Sequence, residues 1–300
     1  MTLPTFLVIG ASRCGTTSLH HYLERHREIC MSPVKSPNFF VAGDAQPSWE
    51  TAPLLAMARQ WLTDRGHYEA LFDGANGRRV IGEVSPVYLQ SRRAPARIHD
   101  ACPNAKLVAI LREPVDRAWA HYLGRRRDGL ETRTDFRAIV EEELARSLPD
   151  EVAFGSYLGC SRYHHFLAGY FDRFPRERIR VYFFDDLLAD PAALLRDLFA
   201  YLDVDTDVAI DTSRRYNRTG TVRNPVLRAL WTSTVRLRIA LRPLLPASVR
   251  DAARIAMGGE LRHPALDPEL RVRIAAALAP DVERLEQLLG RDLTTWRCAS

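Results

Sequence analysis

Residues 6–22 read FLVIGASRCGTTSLHHY, and no other stretch limits the architecture as much. An apolar run from Phe6 to Ile9 stops at Gly10, a loop of small residues follows, and helix-compatible sequence continues from Thr16 to Leu23. The order strand, glycine-flanked loop, helix start brings loop N–H groups and the positive end of a helix dipole to one point, which makes an anion site. Hydroxyls of Ser12, Thr16, Thr17 and Ser18 add donors for a phosphate or sulfate oxygen. The loop departs from the phosphate-loop pattern G-x(4)-G-K-[ST], because Thr16 stands where the lysine belongs. Arg13, ahead of the second glycine, is the only cation in the loop. The competing reading is a glycine-bearing turn of an α/β domain that binds nothing.

The rest of the chain alternates strands with helices. Ile29–Met31 reads as a short strand leading to Lys35 in a loop stiffened by Pro33 and Pro37 and anchored by Phe39 and Phe40. A helix is expected over about Trp49 to Thr63. The stretch Val80–Tyr88 contains a strand, argued by its β-branched residues, with Gly82 and Pro86 bracketing Glu83 at the strand's carboxyl end. Lys106–Leu111 is a near-continuous apolar run, as a buried parallel strand requires, and ends at Arg112 before a helix opened by Pro114. In open α/β sheets ligands bind beyond the carboxyl ends of strands, so Glu83 and Arg112 both fall where chemistry is expected. Helices are predicted at Pro95–Ala101, Asp135–Ser147, Tyr157–Phe174 and Pro191–Leu202, with a strand at Ile179–Phe184. A final amphipathic helix, about Asp267–Leu289, stops at Gly290. The expectation is an α/β fold: a single domain over 1–300 with a central parallel sheet flanked by helices and a P-loop-like strand–loop–helix at its start. The core would cover about 5–205, with a basic loop and a C-terminal helical region over about 206–300.

With 46% hydrophobic residues, 300 residues can bury one large core or two small ones. A net charge of +5 suits anionic ligands but is too mild to require nucleic acid, which is not expected as a partner. Lys35 and Lys106 are the only lysines among 42 basic residues, so a lysine inside a motif is informative. The five cysteines are scattered without C-x-x-C spacing, so neither a disulfide framework nor a zinc site is expected and a reducing compartment fits. The N-terminus enters the first strand directly and no apolar run reaches about 18 residues, so a cytoplasmic protein is expected.

Four segments, in this order, resemble the sulfotransferases that use 3′-phosphoadenosine 5′-phosphosulfate (PAPS), nearest to the carbohydrate and heparan-sulfate type. Gly10–Leu19 resembles the 5′-phosphosulfate loop, and Lys35-Ser36-Pro37-Asn38-Phe39-Phe40 resembles the K-E-P-x-F-F loop. Glu83-Val84-Ser85-Pro86-Val87-Tyr88 resembles the E-x-S-P-x-Y segment that supplies the base, and Leu111–Ala118 resembles the 3′-phosphate motif. The tail Leu285–Leu293 with Trp296 is also similar to that of many members. The resemblance implies that Glu83 is general base, with Arg13 and Lys35 stabilising the leaving 5′-phosphate. Arginine cannot usefully release a proton, so Arg13 acts as a charge and any proton donation falls to Lys35. It implies donor binding by Ser12, Arg13, Cys14, Gly15, Thr16, Thr17 and Ser18, with Arg112 on the 3′-phosphate and the basic loop Arg218-Thr219-Gly220 closing over it. Cys14 is given a place in the loop but no chemistry. Adenosine 3′,5′-bisphosphate (PAP) would be the product, and no metal is expected. The acceptor would be a small molecule or glycan.

Two departures stand out: arginine replaces the family's lysine at position 13, and Ala120 replaces a serine that donates to the 3′-phosphate. Losing a hydrogen bond to a charged group costs about 1.5–3 kcal/mol unless another group compensates, and neighbouring His121 reads either as that group or as a solvent-facing residue. Arg117 reads either as a site cation or as a brace, and Tyr157 either as the family's G-x-Y tyrosine or as a core residue. Two rival classes are weighed. A P-loop kinase or nucleotide hydrolase needs the loop lysine and a strand-end aspartate for Mg²⁺, where this chain has Thr16 and Arg112. A non-catalytic membrane-surface or scaffold protein with a relic nucleotide site would rest on the arginine-rich stretch 223–254, a candidate for peripheral membrane contact.

Overall fold

Short apolar runs separated by helical segments have one economical solution, a sheet covered on both faces. The computed structural model describes residues 2–41, 61–146, 155–214, 216, 221–222, 234, 261–262 and 264–297. These fall into two compact units. The first takes in described residues of Met1–Gln46, Gln60–Arg112 and His165–Arg215; the second takes in those of Glu113–His164 and Tyr216–Ser300.

The first unit contains a parallel sheet of β1 (Phe6–Gly10), β2 (Ile29–Met31), β3 (Val80–Val84), β4 (Lys106–Leu111) and β5 (Ile179–Phe183), in the order β2-β3-β1-β4-β5. β1 lies in the centre, with Phe6 opposite both Gly82 and Lys106 and Val8 opposite both Val84 and Val108. All of its residues are buried, which explains why its sequence shows no polar alternation. The close packing has a steric signature: a Cβ on Gly82 would stand 2.1 Å from the ring of Phe6. Successive strands are added on one side of β1 and then on the other, so its carboxyl end opens where α/β sheets form a ligand crevice. Helices α1 (Thr16–Leu23), α2 (Arg65–Ala70) and α3 (Ala94–Ala101) belong to this unit. At the opposite, amino end of β4, Lys106 is tied to the Asp203 carboxylate and the Tyr201 carbonyl, both at 2.5 Å. Of the two lysines, only Lys35 is therefore placed for chemistry.

The second unit is built on α4 (Pro114–Asp128) and α5 (Phe136–Ala145). Glu113 caps α4 by accepting from the N–H groups of Val115 and Asp116, and Asp135 caps α5 by accepting from Ala138. Tyr157 and Leu158, upstream of α6 (Tyr163–Phe171), pack on the same apolar cluster as Val115, Tyr122 and Phe136. The chain continues with α7 (Phe184–Ala189) and α8 (Pro191–Leu202), which return to the first unit, and a two-residue antiparallel pair, β6 (Thr221–Val222) with β7 (Leu261–Arg262). α9 (Pro268–Leu289) closes the cluster with Leu270, Ile274 and Leu278 and ends at Gly290, φ 64°, as its sequence predicts. A short α10 (Thr294–Arg297) follows.

Three expected elements differ. Tyr157–Phe174 is not one helix: a 3₁₀ turn at Gly159–Ser161 precedes α6, because the Tyr157 carbonyl is taken by the guanidinium of Arg117 instead of a helical N–H. Phe184 starts α7 rather than ending β5. The helix expected over Trp49–Thr63 lies outside the described residues except at Trp61–Thr63, which is not helical; Asp64 caps α2 instead by accepting from His67 N–H.

Candidate functional site

The loop after β1 is shaped by its backbone. Ala11 N–H donates to the Ile110 carbonyl (2.8 Å), joining the loop's first residue to β4. Arg13 (φ 72°) and Gly15 (φ 86°) take left-handed conformations that curl the chain into α1. Gly15 is the N-cap, and no side chain caps the helix. With no side-chain cap at Gly15, the N-terminal donors of α1 face the loop. A side chain at position 15 is disfavoured on two grounds: the left-handed φ strains it, and its Cβ would press on Leu187 at 2.8 Å and Phe184 at 3.1 Å. Thr16 and Ser18 are buried, Ser12 and Thr17 half-buried. The Cys14 thiol is buried and points to the Ser12 carbonyl at 3.7 Å, a contact that braces the loop.

Phe184 also explains how Arg112 joins this loop. The Arg112 guanidinium lies over the Phe184 ring, 5.0 Å from its centroid, while the edge of the same ring abuts Gly15. Lys35 arrives on a loop pinned to β3 and its continuation: Ser36 N–H donates to the Val84 carbonyl (2.9 Å) and Asn38 N–H to Ser85 Oγ (3.1 Å). Lys35 Nζ is 3.5 Å from Ser36 Oγ, and its charge helps to lower the pKa of His20 on α1, which places it beside that helix. Arg13, Lys35, Arg112 and the residues Ser12–Ser18 are therefore gathered in one unit at the carboxyl ends of β1, β3 and β4. Arg218, Thr219 and Gly220 lie outside the described residues, as does the stretch 223–254 apart from residue 234.

Glu83 sits at the carboxyl end of β3 with no exposed surface. Its Oε1 accepts hydrogen bonds from the hydroxyls of Tyr68 and Tyr88, both 2.7 Å, and its Oε2 accepts one from Ser85 Oγ at 2.6 Å. Burial pushes its carboxyl above the ordinary range, and the three hydroxyl bonds pull in the opposite direction. Both tyrosines are held well above their usual pKa by burial and by the carboxylate, so they act as donors. The Tyr68 ring stacks on Phe39 at 4.3 Å, which connects the lysine loop to the carboxylate.

Arg117 belongs to the second unit and is a brace. It is wholly buried, and its Nε donates to Ser161 Oγ at 2.6 Å. Tyr157 is a core tyrosine whose hydroxyl donates to Glu131 at 3.0 Å. Ala120 is wholly buried in α4, and the His121 ring packs on Tyr157 at 5.1 Å. Sequence reasoning missed Tyr68 and Phe184. Ser85 and Tyr88 were visible in the E-x-S-P-x-Y spacing, which puts both hydroxyls on one carboxylate, whereas nothing local distinguishes Tyr68 or Phe184 from core aromatics.

Residues 4–208 match the model of the Sulfotransferase family. A sulfotransferase structure from Alicyclobacillus acidocaldarius superposes with a TM-score of 0.76 at 32% identity, covering 99% of this chain and 100% of that one. Among curated proteins, the bifunctional heparan sulfate N-deacetylase/N-sulfotransferase of Drosophila melanogaster is 24% identical over 72% of this chain and 21% of its own length. The membrane-associated sulfotransferase kil1 of Dictyostelium discoideum is 30% identical over 41% of this chain and 23% of its own. The matched regions thus span about a fifth to a quarter of these curated relatives.

Proposed function

The chain belongs to the sulfotransferase family, and from that premise we propose that it moves the sulfuryl group of PAPS to a hydroxyl or amine of a carbohydrate, glycolipid or other small acceptor. The observation that carries the donor assignment is the uncapped start of α1 behind Gly15, with Arg112 held against the same loop by Phe184. Loop N–H groups and Arg13 would hold the 5′-phosphosulfate, and Arg112 the 3′-phosphate. A planar guanidinium grips phosphate oxygens in pairs, which suits a binding role at both ends of a bisphosphorylated nucleotide.

Sulfuryl transfer needs in-line geometry, an activated acceptor and a stabilised leaving group. Glu83 takes the acceptor's proton on Oε2, the oxygen that carries one hydroxyl bond where Oε1 carries two. The carboxylate is wholly buried, so an acceptor reaches Oε2 only when a side chain covering it moves. The acceptor atom then bonds to sulfur while the bond from sulfur to the 5′-phosphate oxygen breaks. Arg13, Lys35 and the donors of Gly15 to Ser18 balance the charge that develops on that phosphate, and PAP leaves. The heparan sulfate named for the fruit-fly relative favours a sugar acceptor and keeps an amine among the candidates. Four cysteines, Cys14, Cys30, Cys102 and Cys160, are buried free thiols, which supports a reducing, cytoplasmic setting.

The test is transfer of labelled sulfuryl from PAPS to an acceptor panel by wild type and Glu83→Gln. The variant should fold, bind PAP within severalfold of wild type and lose about 10²–10⁴ in turnover, the range for a missing general base. Turnover within severalfold of wild type would place the base elsewhere.

A further inference from the structure

The residues of α1 that follow the anion loop carry a second cluster of chemistry, which the transfer reaction does not use. His20, His21 and Glu24 each offer one ligand atom, and these atoms lie within 4.8 Å of one another. We propose that they form a binding site for a divalent transition metal of the zinc class. His20 is the fixed element: it is 4% exposed, and its Nδ1 has no hydrogen-bond partner among the described residues. A buried ring nitrogen without a partner is costly unless something completes it. His21 and Glu24 are the movable elements, with side chains 21% and 52% exposed. His21 Nδ1 and Glu24 Oε2 share a hydrogen bond of 3.2 Å, whose proton a bound metal would displace. That separation is close to the edge of a tetrahedron of zinc ligands with bonds of about 2.0–2.2 Å, roughly 3.3–3.5 Å. The two edges to His20 lie within 4.8 Å, and closing them requires the two exposed side chains to rotate toward the fixed ring.

Two imidazole nitrogens and one carboxylate oxygen form a donor set typical of zinc, with water as fourth ligand. Lys35 opposes a dication here and Glu24 offsets one unit of that charge, so the affinity should be moderate. The cluster was not foreseen from the cysteine pattern because it contains no cysteine.

The experiment titrates the full-length, chelator-stripped protein with Zn²⁺ by calorimetry and with Co²⁺ by visible absorption. The proposal expects one Zn²⁺ per chain, weakening by at least about tenfold in each of His21→Ala and Glu24→Gln. Both substitutions fall on partly exposed side chains and should leave the fold intact. Co²⁺ should give d–d bands without a thiolate charge-transfer band. Absence of saturable binding, unchanged affinity in both variants, or a thiolate band would overturn it. No outcome depends on sulfuryl transfer, so the two readings fail separately.

Discussion

At Glu83, three hydroxyls decide how a buried carboxylate can serve as a base. Tyr68 and Tyr88 hold Oε1, Ser85 holds Oε2, and each bond favours the ionised form against the penalty of burial. Only the ionised form accepts a proton, so activity falls on the acid side as pH drops through the Glu83 pKa. Removing a donor destabilises the carboxylate and raises that pKa further. Tyr88→Phe should therefore move the acid limb of kcat/KM to higher pH, by about 1–2 units if the bond is worth the 1.5–3 kcal/mol usual for a charged acceptor. A pH–rate profile measures this, and an unmoved limb would mean that Glu83 is not the titrating base. The sequence made part of this group legible. Glu83, Ser85 and Tyr88 share one motif, and strand-end geometry turns their spacing into contact. Tyr68 comes from α2, and its approach depends on stacking against Phe39, a tertiary contact that no local pattern encodes.

Among the elements, the β1–loop–α1 unit was the most legible, because its pattern is steric. Buried parallel strands must be apolar throughout, and a helix that leaves its N-terminal donors for an anion needs a small residue in a left-handed conformation before it. Strands β2 and β4 follow the expected bounds, and β1 and β3 fall within the expected stretches, for this reason. The misread helix Tyr157–Phe174 shows the limit: its amphipathic pattern is real, but Arg117 captures a carbonyl from another part of the chain and interrupts it. Gly15→Ala tests the loop. The left-handed φ costs roughly 1–2 kcal/mol for a residue with a Cβ, and that atom would press into Leu187 and Phe184. Because Phe184 also supports Arg112, the variant should lower the melting temperature and weaken PAP binding together. A stable variant with unchanged PAP affinity would separate the loop from the nucleotide.

On the scale of the whole molecule, an excess of arginine over lysine and the gathering of Arg13, Lys35 and Arg112 at the carboxyl end of the parallel sheet describe a chain suited to a multiply charged anion. No helix among the described residues is long and apolar enough to cross a membrane. The α/β class and the sulfotransferase family were legible because four short motifs occur in order. The division into two units was not, since it depends on contacts between segments distant in sequence, such as α4 with α9. The acceptor was not legible either, because an acceptor pocket has no fixed spacing. The donor can be tested without knowing the acceptor. Full-length protein in excess chelator is titrated with PAP and with adenosine 5′-phosphate, in wild type and in Arg112→Ala. PAP should bind without metal and about 10–100-fold more tightly than the monophosphate, with that preference lost in Arg112→Ala. Equal binding of the two nucleotides by wild type, or a metal requirement for PAP, would contradict the assignment of this site to PAPS.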